Sequence, residues 1–170
     1  MIIKNKTIVD DDWIVLRLSA GDTPESVAVA EGKVLAPLKV WLAQRDTLQR
    51  HAELGVWLSS NERAEDLQND VAKFSVIAED FPKFADGRGY SIAHYVRARL
   101  GYRGELRAIG DVLRDQLFYM QRVGFDAFVP RADKDISKAL KGLSDFSVTY
   151  QASSDEKLPL FRRVQRGAGL

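Results

Sequence analysis

A chain of 170 residues with 45% apolar and 29% charged side chains has the length and balance of one globular domain, which excludes collagen-like, mucin-like and wholly disordered classes. Its 25 basic and 24 acidic side chains leave a net charge of +1, too little for a surface built to attract nucleic acid, so any anion preference has to be local. The absence of cysteine excludes disulfides, thiolate nucleophiles, dithiol redox chemistry and Cys-ligated zinc or iron-sulfur clusters.

The opening MIIKNKTIVDDDW has no apolar run of signal-peptide length, and no stretch approaches the roughly 18 apolar residues of a membrane span. A cytoplasmic location without membrane contact is expected. The first 33 residues carry two short apolar stretches, Thr7 to Val9 and Trp13 to Leu18, then Gly21, Pro24 and Gly32. They predict an N-terminal strand or hairpin followed by a loop. From Val34 to Leu54, apolar residues including Leu38, Trp41, Leu42 and Leu48 recur at steps of three and four, which predicts a helix from about Pro37 that stops at Gly55.

Beyond Gly55 short apolar runs alternate with helical patterns. The strand candidates are Val56 to Leu58, Phe74 to Ala78, Glu105 to Ile109 and Phe125 to Val129, with a last run from Phe146 to Tyr150. Between them lie a weak helix through Ala64, Leu67 and Val71, and a helix N-capped by Ser91 and closed by Gly101. Two more follow, Val112 to Val123 before Gly124 and Asp133 to Leu143. This alternation predicts an α/β fold: βαβ units forming a mainly parallel sheet of about five strands, either an open sheet or a half-barrel that pairs with another subunit. Residues 1–150 read as one α/β domain, with 1–33 as its N-terminal extension, and residues 151–170 as a loosely ordered tail. The edges of such a sheet want cover, which favours a homodimer.

Ligands of parallel sheets bind at the carboxyl ends of the strands, which directs attention to three places. The first is Glu79-Asp80-Phe81-Pro82-Lys83-Phe84-Ala85-Asp86-Gly87-Arg88-Gly89-Tyr90-Ser91. Lys83 and Arg88 ahead of a helix N-terminus would make an anion site, with Gly87 and Gly89 admitting a ligand close to the backbone. The competing reading is that Asp86 and Arg88 pair across a tight turn and that Phe81 and Phe84 are core plugs. The second place is Gly110-Asp111 with Arg114 and Asp115, where Asp111 either caps a helix or acts with a neighbouring Asp80 as an acid-base or cation-holding pair. The third is Pro130-Arg131, and Arg131 stands where a further acid would be needed for metal. Asp80, Asp111 and Tyr90 are thus the candidate acid-base groups, with Lys83 as an alternative partner. Lys83, Asp86, Gly87, Arg88, Gly89, Ser91, Arg114 and Arg131 are the candidate ligand-binding residues. His51 and His94 lie in separate helices without a nearby acid at ligand spacing, and Trp41 and Trp57 read as core. Arg97, Arg99, Arg103 and Arg107 form a basic run that reads as a solvated helix face rather than a nucleic-acid surface. No motif in the chain assigns a cofactor.

The stretch FPKFADGRGYSIAHYVRARLGYRGELRAIGDVLRDQLFYMQRVGFDAF, residues 81–128, resembles a family of uncharacterised bacterial proteins described as oxidoreductases involved in sulfite reduction. The family pattern is matched at Phe81, Pro82, Asp86 to Ser91, Glu105, Arg107, Gly110, Asp111, Asp115 and Gln116, and more weakly through WLAQRD at 41–46, GVWL at 55–58, and Asp12 and Trp13. The resemblance implies a role in cytoplasmic sulfur assimilation beside sulfite or nitrite reductases; it carries no catalytic residue over. Sulfite reduction needs several electrons, and a chain without cysteine or a nicotinamide fingerprint offers no route for them. The expected function is therefore an accessory protein that binds a small anion or docks a reductase subunit through the 81–91 loop. The alternative is a small acid-base or metal-assisted enzyme acting on a phosphorylated or sulfur-containing metabolite.

Overall fold

The computed structural model describes residues 1–163. The chain opens with a hairpin of β1 (Ile2–Lys4) and β2 (Thr7–Val9), turned at Asn5 and Lys6, which both take positive φ. Then follow β3 (Ile14–Val15), β4 (Val34–Pro37), α1 (Leu38–Leu48), β5 (Leu54–Ser59), β6 (Val76–Phe81) and α2 (Arg88–Ala98). β7 (Glu105–Gly110), α3 (Leu117–Val123), β8 (Ala127–Phe128), α4 (Ile136–Lys141) and α5 (Leu160–Arg163) complete the fold.

The α/β class is as expected, but the sheet is larger than five strands and mixed. Its order is β2-β1-β8-β7-β6-β5-β4-β3. Strands β3 to β8 run parallel to their neighbours, whereas β1 lies antiparallel to both β8 and β2. Strands laid down side by side in chain order, with right-handed crossovers, place every connecting helix on one face. One core cluster accordingly joins Trp41 of α1, Val96 of α2, Met120 of α3 and Ala139 of α4 to Val56, Ile77, Leu106 and Phe128 of the strands. The opposite face carries Leu35, Trp57, Val76, Ala78 and Ile109, and what covers it is the N-terminal stretch, through Trp13 and Val15. Gly55 makes room for that cover: a Cβ there would stand 3.1 Å from the Trp13 ring and 2.8 Å from the Val76 carbonyl oxygen. The result is an open half-barrel, helices outside and the N-terminal stretch inside.

Several boundaries differ from expectation. Val34 to Pro37, read as the approach to a helix, is a strand buried on both faces, and four successive apolar residues look alike in either state. The helix through Ala64 and Val71 is reduced to two 3-10 turns, Ala64–Leu67 and Val71–Lys73. β6 continues through Glu79 and Asp80, so the loop begins at Pro82. α2 starts at Arg88 after Gly87, which puts Ser91 inside its first turn rather than at its cap. Arg107 belongs to a strand and is 2% exposed, held by Glu105 (2.6 Å) and Asp11 (2.9 Å), so it is no part of a solvated helix face.

Residues 151–155 are tied to α3, and Leu160 and Arg163 fold back on Tyr150 and Thr149. Arg122 bonds Thr149, Gln151 and Asp155, and the Ser154 N–H donates to the Arg122 carbonyl. The rest of the tail expected to be loose, residues 164–170, lies outside the described residues. Among the described residues no helix is long and apolar enough to cross a membrane.

Candidate functional site

Side chains alternate across β6, so Glu79 faces the helix layer while Asp80 faces the N-terminal stretch. Asp80 accepts both terminal nitrogens of Arg17, at 2.6 and 2.8 Å, and the Arg17 guanidinium lies 4.6 Å from the centre of the Trp57 ring. Trp57 in turn donates its indole N–H to the Leu16 carbonyl (2.9 Å). Arg17 raised no signal in the sequence, because its partner lies 63 positions away.

Asp80 and Asp111 hold different partners. Register pairs Asp80 with Ile109 and Phe81 with Gly110, which carries Asp111 past the strand end. Nor does Asp111 cap a helix: the next turn, Arg114–Gln116, is preceded by Leu113, whose N–H is received by the Gln116 side chain (2.8 Å). Asp111 clamps the loop instead, accepting the Phe84 N–H at 2.8 Å and Arg131 at 3.2 Å. Arg131 is shared with Asp133, at 2.9 and 3.0 Å, and these pairings strengthen its hold on its proton. Arg114 turns away to Asp145 (2.5 Å) and takes no part in the loop.

The loop proper is closed by Asp86. Arg88 donates to it from Nε (2.9 Å) and Nη2 (2.6 Å), and Ser60 from its hydroxyl (2.8 Å); a further Arg88 nitrogen reaches Asn61. The Arg88 bonds, with help from Ser60, hold the Asp86 carboxyl well below the usual carboxylate range. The turn reading of Asp86 and Arg88 thus describes the geometry, and it welds the loop to the turn after β5. Phe81 is a core plug, whereas Phe84 is 47% exposed. Lys83 stands exposed and in no ion pair among the described residues.

The two glycines differ in their surroundings, Gly87 being exposed and Gly89 buried. Gly87 precedes α2 in an ordinary right-handed conformation, and Gly89 is buried because α2 rests there on the core. A Cβ at Gly89 would stand 2.8 Å from both Glu79 Cγ and the Phe81 ring. Tyr90 and Ser91 look outward from α2 into a concavity of about 410 Å³ shared with His94 and Tyr119, and the Tyr90 and Tyr119 rings are 5.2 Å apart. Burial raises the Tyr90 hydroxyl above its ordinary value.

The sequence reading passed over Glu79 as part of the loop. It is 1% exposed, and neither carboxyl oxygen has a hydrogen-bond partner among the described residues. Burial pushes its carboxyl up to about 9, and the nearby Asp80, Glu62 and Asp86 act in the same direction. The signal available was its place in the alternation Ile77-Glu79-Phe81, where an acid occupies a position of the apolar face. Among the described residues no group of three or more acids or histidines is placed to hold a metal ion.

Fold and site define an α/β half-barrel protein whose carboxyl-edge loop is locked by its own ion pairs. The chain belongs to the family described as "Bacterial protein of unknown function (DUF934)", whose model matches residues 55–161. No curated protein and no solved structure matches the chain.

Proposed function

We propose that this protein is an accessory factor of cytoplasmic sulfite reduction and sulfur assimilation, and that it docks a reductase subunit through the 81–91 loop. The sulfur role rests on the resemblance of residues 81–128. The docking mode rests on the state of the loop's cations: Arg88 and Arg131 already hold carboxylates of their own chain through charge-assisted pairs. A free small anion held by Arg88 or Arg131 has to displace those carboxylates. A protein surface can instead add contacts around exposed Pro82, Lys83 and Phe84 without breaking any pair.

The test is complementation of a sulfite-assimilation defect by Lys83→Glu/Phe84→Ser and by Arg88→Ala. Both are expected to fail to restore growth while retaining the native circular dichroism spectrum. Growth at the wild-type rate with both variants would defeat the reading. A thermal shift produced by sulfite or sulfate and lost in Arg88→Ala would transfer the role to anion binding at the same loop.

A second reading, a small acid-base enzyme acting on a phosphorylated or sulfur-containing metabolite, is favoured by Glu79, a buried carboxyl next to Asp80 at a strand end. Turnover of a member of a metabolite panel, lost in Glu79→Gln, is the result that reading requires.

A further inference from the structure

Glu79 lies on the helix-facing side of β6 between Ile77 and Phe81, both core residues, yet no group among the described residues bonds either of its oxygens. A carboxyl so placed is tolerated in its neutral form, since an unpaired charge in an apolar surround is far costlier than an unpaired hydroxyl. The charged groups that act on it are Glu62 from the turn after β5, Asp86 from the 81–91 loop, Arg88 at the start of α2, and Asp80, its neighbour on β6, from the opposite face of the strand. Arg88 is the cation of that set. It is spent on Asp86, yet it is joined directly to Gly89, the residue seated on Glu79. The Arg88 side chain is more than half exposed, so packing does not fix it in place.

We propose that Glu79 is a buried proton-binding site and that its proton decides which carboxylate Arg88 holds. With the proton in place Arg88 pairs with Asp86, and Asp86 fastens the loop to Ser60. When the proton leaves to solvent, the uncovered charge on Glu79 draws the guanidinium inward, Asp86 is released and the 81–91 loop comes free of the turn after β5. The two arrangements form a bistable element, and by linkage any group that holds Arg88 outward favours the protonated Glu79. This device stands whether or not the loop docks a partner.

The test is carbon-detected NMR titration of the side-chain carboxyls of the whole protein, with the Glu79 signal assigned by its loss in Glu79→Gln. Glu79 is expected to titrate near 9. In Asp86→Asn it should titrate at least about tenfold more readily, one pH unit lower, because Arg88 is left with Glu79 as its partner. Removing Asp86 also removes a negative charge, so Asp86→Asn/Arg88→Gln is the control: a fall of equal size there assigns the effect to charge alone and overturns the exchange. Independently, amide protection across residues 83–91 should fall through the Glu79 midpoint in the native chain and stay level in Glu79→Gln. Parallel protection profiles in the two proteins, or a Glu79 midpoint in the ordinary carboxylate range, would overturn the proposal.

Discussion

Arg107 and Glu79, the two most deeply buried charged residues among the described residues, behave oppositely. Arg107 is satisfied: Glu105 and Asp11 receive it, and Lys4 reaches the other oxygen of Glu105 at 2.8 Å. Removing one member of a buried ionic group leaves the others uncompensated, so Arg107→Ala is expected to cost about 3 to 5 kcal/mol in urea unfolding. A loss under about 1 kcal/mol would mean the network contributes little. Among the described residues Glu79 has no such partner. Its folded-state value, about 9, lies above the ordinary value of 4.5, so its contribution to stability is fully present below about 4.5 and is lost as pH rises towards 9. Glu79→Gln lacks this dependence and is expected to gain on the native protein by about 1.4 kcal/mol per pH unit across that window. Denaturation curves at a series of pH values decide it, and a constant difference would count against the burial argument.

The strand-end turns of the sheet hold the loop in shape. Gly110 ends β7 with φ of +92°, and a Cβ there would collide with the Phe81 carbonyl oxygen and lie 2.7 Å from Asp80 Oδ1. Gly110→Ala is therefore expected to destabilise the fold by about 2 kcal/mol or more, from backbone strain and the displaced end of β6 together. A crystal structure of the variant should show the Asp80–Arg17 pair disturbed. The alternation of strand and helix was legible from sequence because each helix buries one stripe against the same face. The end of β6 was not, because Glu79-Asp80-Phe81-Pro82 reads locally as a polar turn. Parallel pairing with β5 as far as Asp80 and with β7 as far as Phe81 extends it as strand.

At the scale of the molecule, the first 54 residues are structural rather than an appendage. They supply β1 to β4 and α1, and they cover the inner face of the half-barrel through Trp13 and Val15. The family match covers residues 55–161, which omits all of this. A chain cut to that span loses Trp41, Leu35 and Ile3 from its core and leaves β5 as an unpaired edge, so it is expected to show no cooperative thermal unfolding. A sharp transition in that fragment would show the N-terminal part to be dispensable.

Composition and periodicity alone determined the α/β class and the carboxyl-edge position of the 81–91 loop, and they offered the pairing of Asp86 with Arg88 as one of two readings, because each depends on neighbours within a few residues. The tertiary structure decided the rest. Arg17 came to Asp80 from a distant stretch, Asp111 became a loop clamp by lying one step beyond its strand, and Gly89 turned out to seat a helix on Glu79. Glu79 itself shows the reason most directly. Its chemistry is set by burial against an apolar layer contributed by other elements, and no spacing in the sequence specifies how completely that layer closes over it.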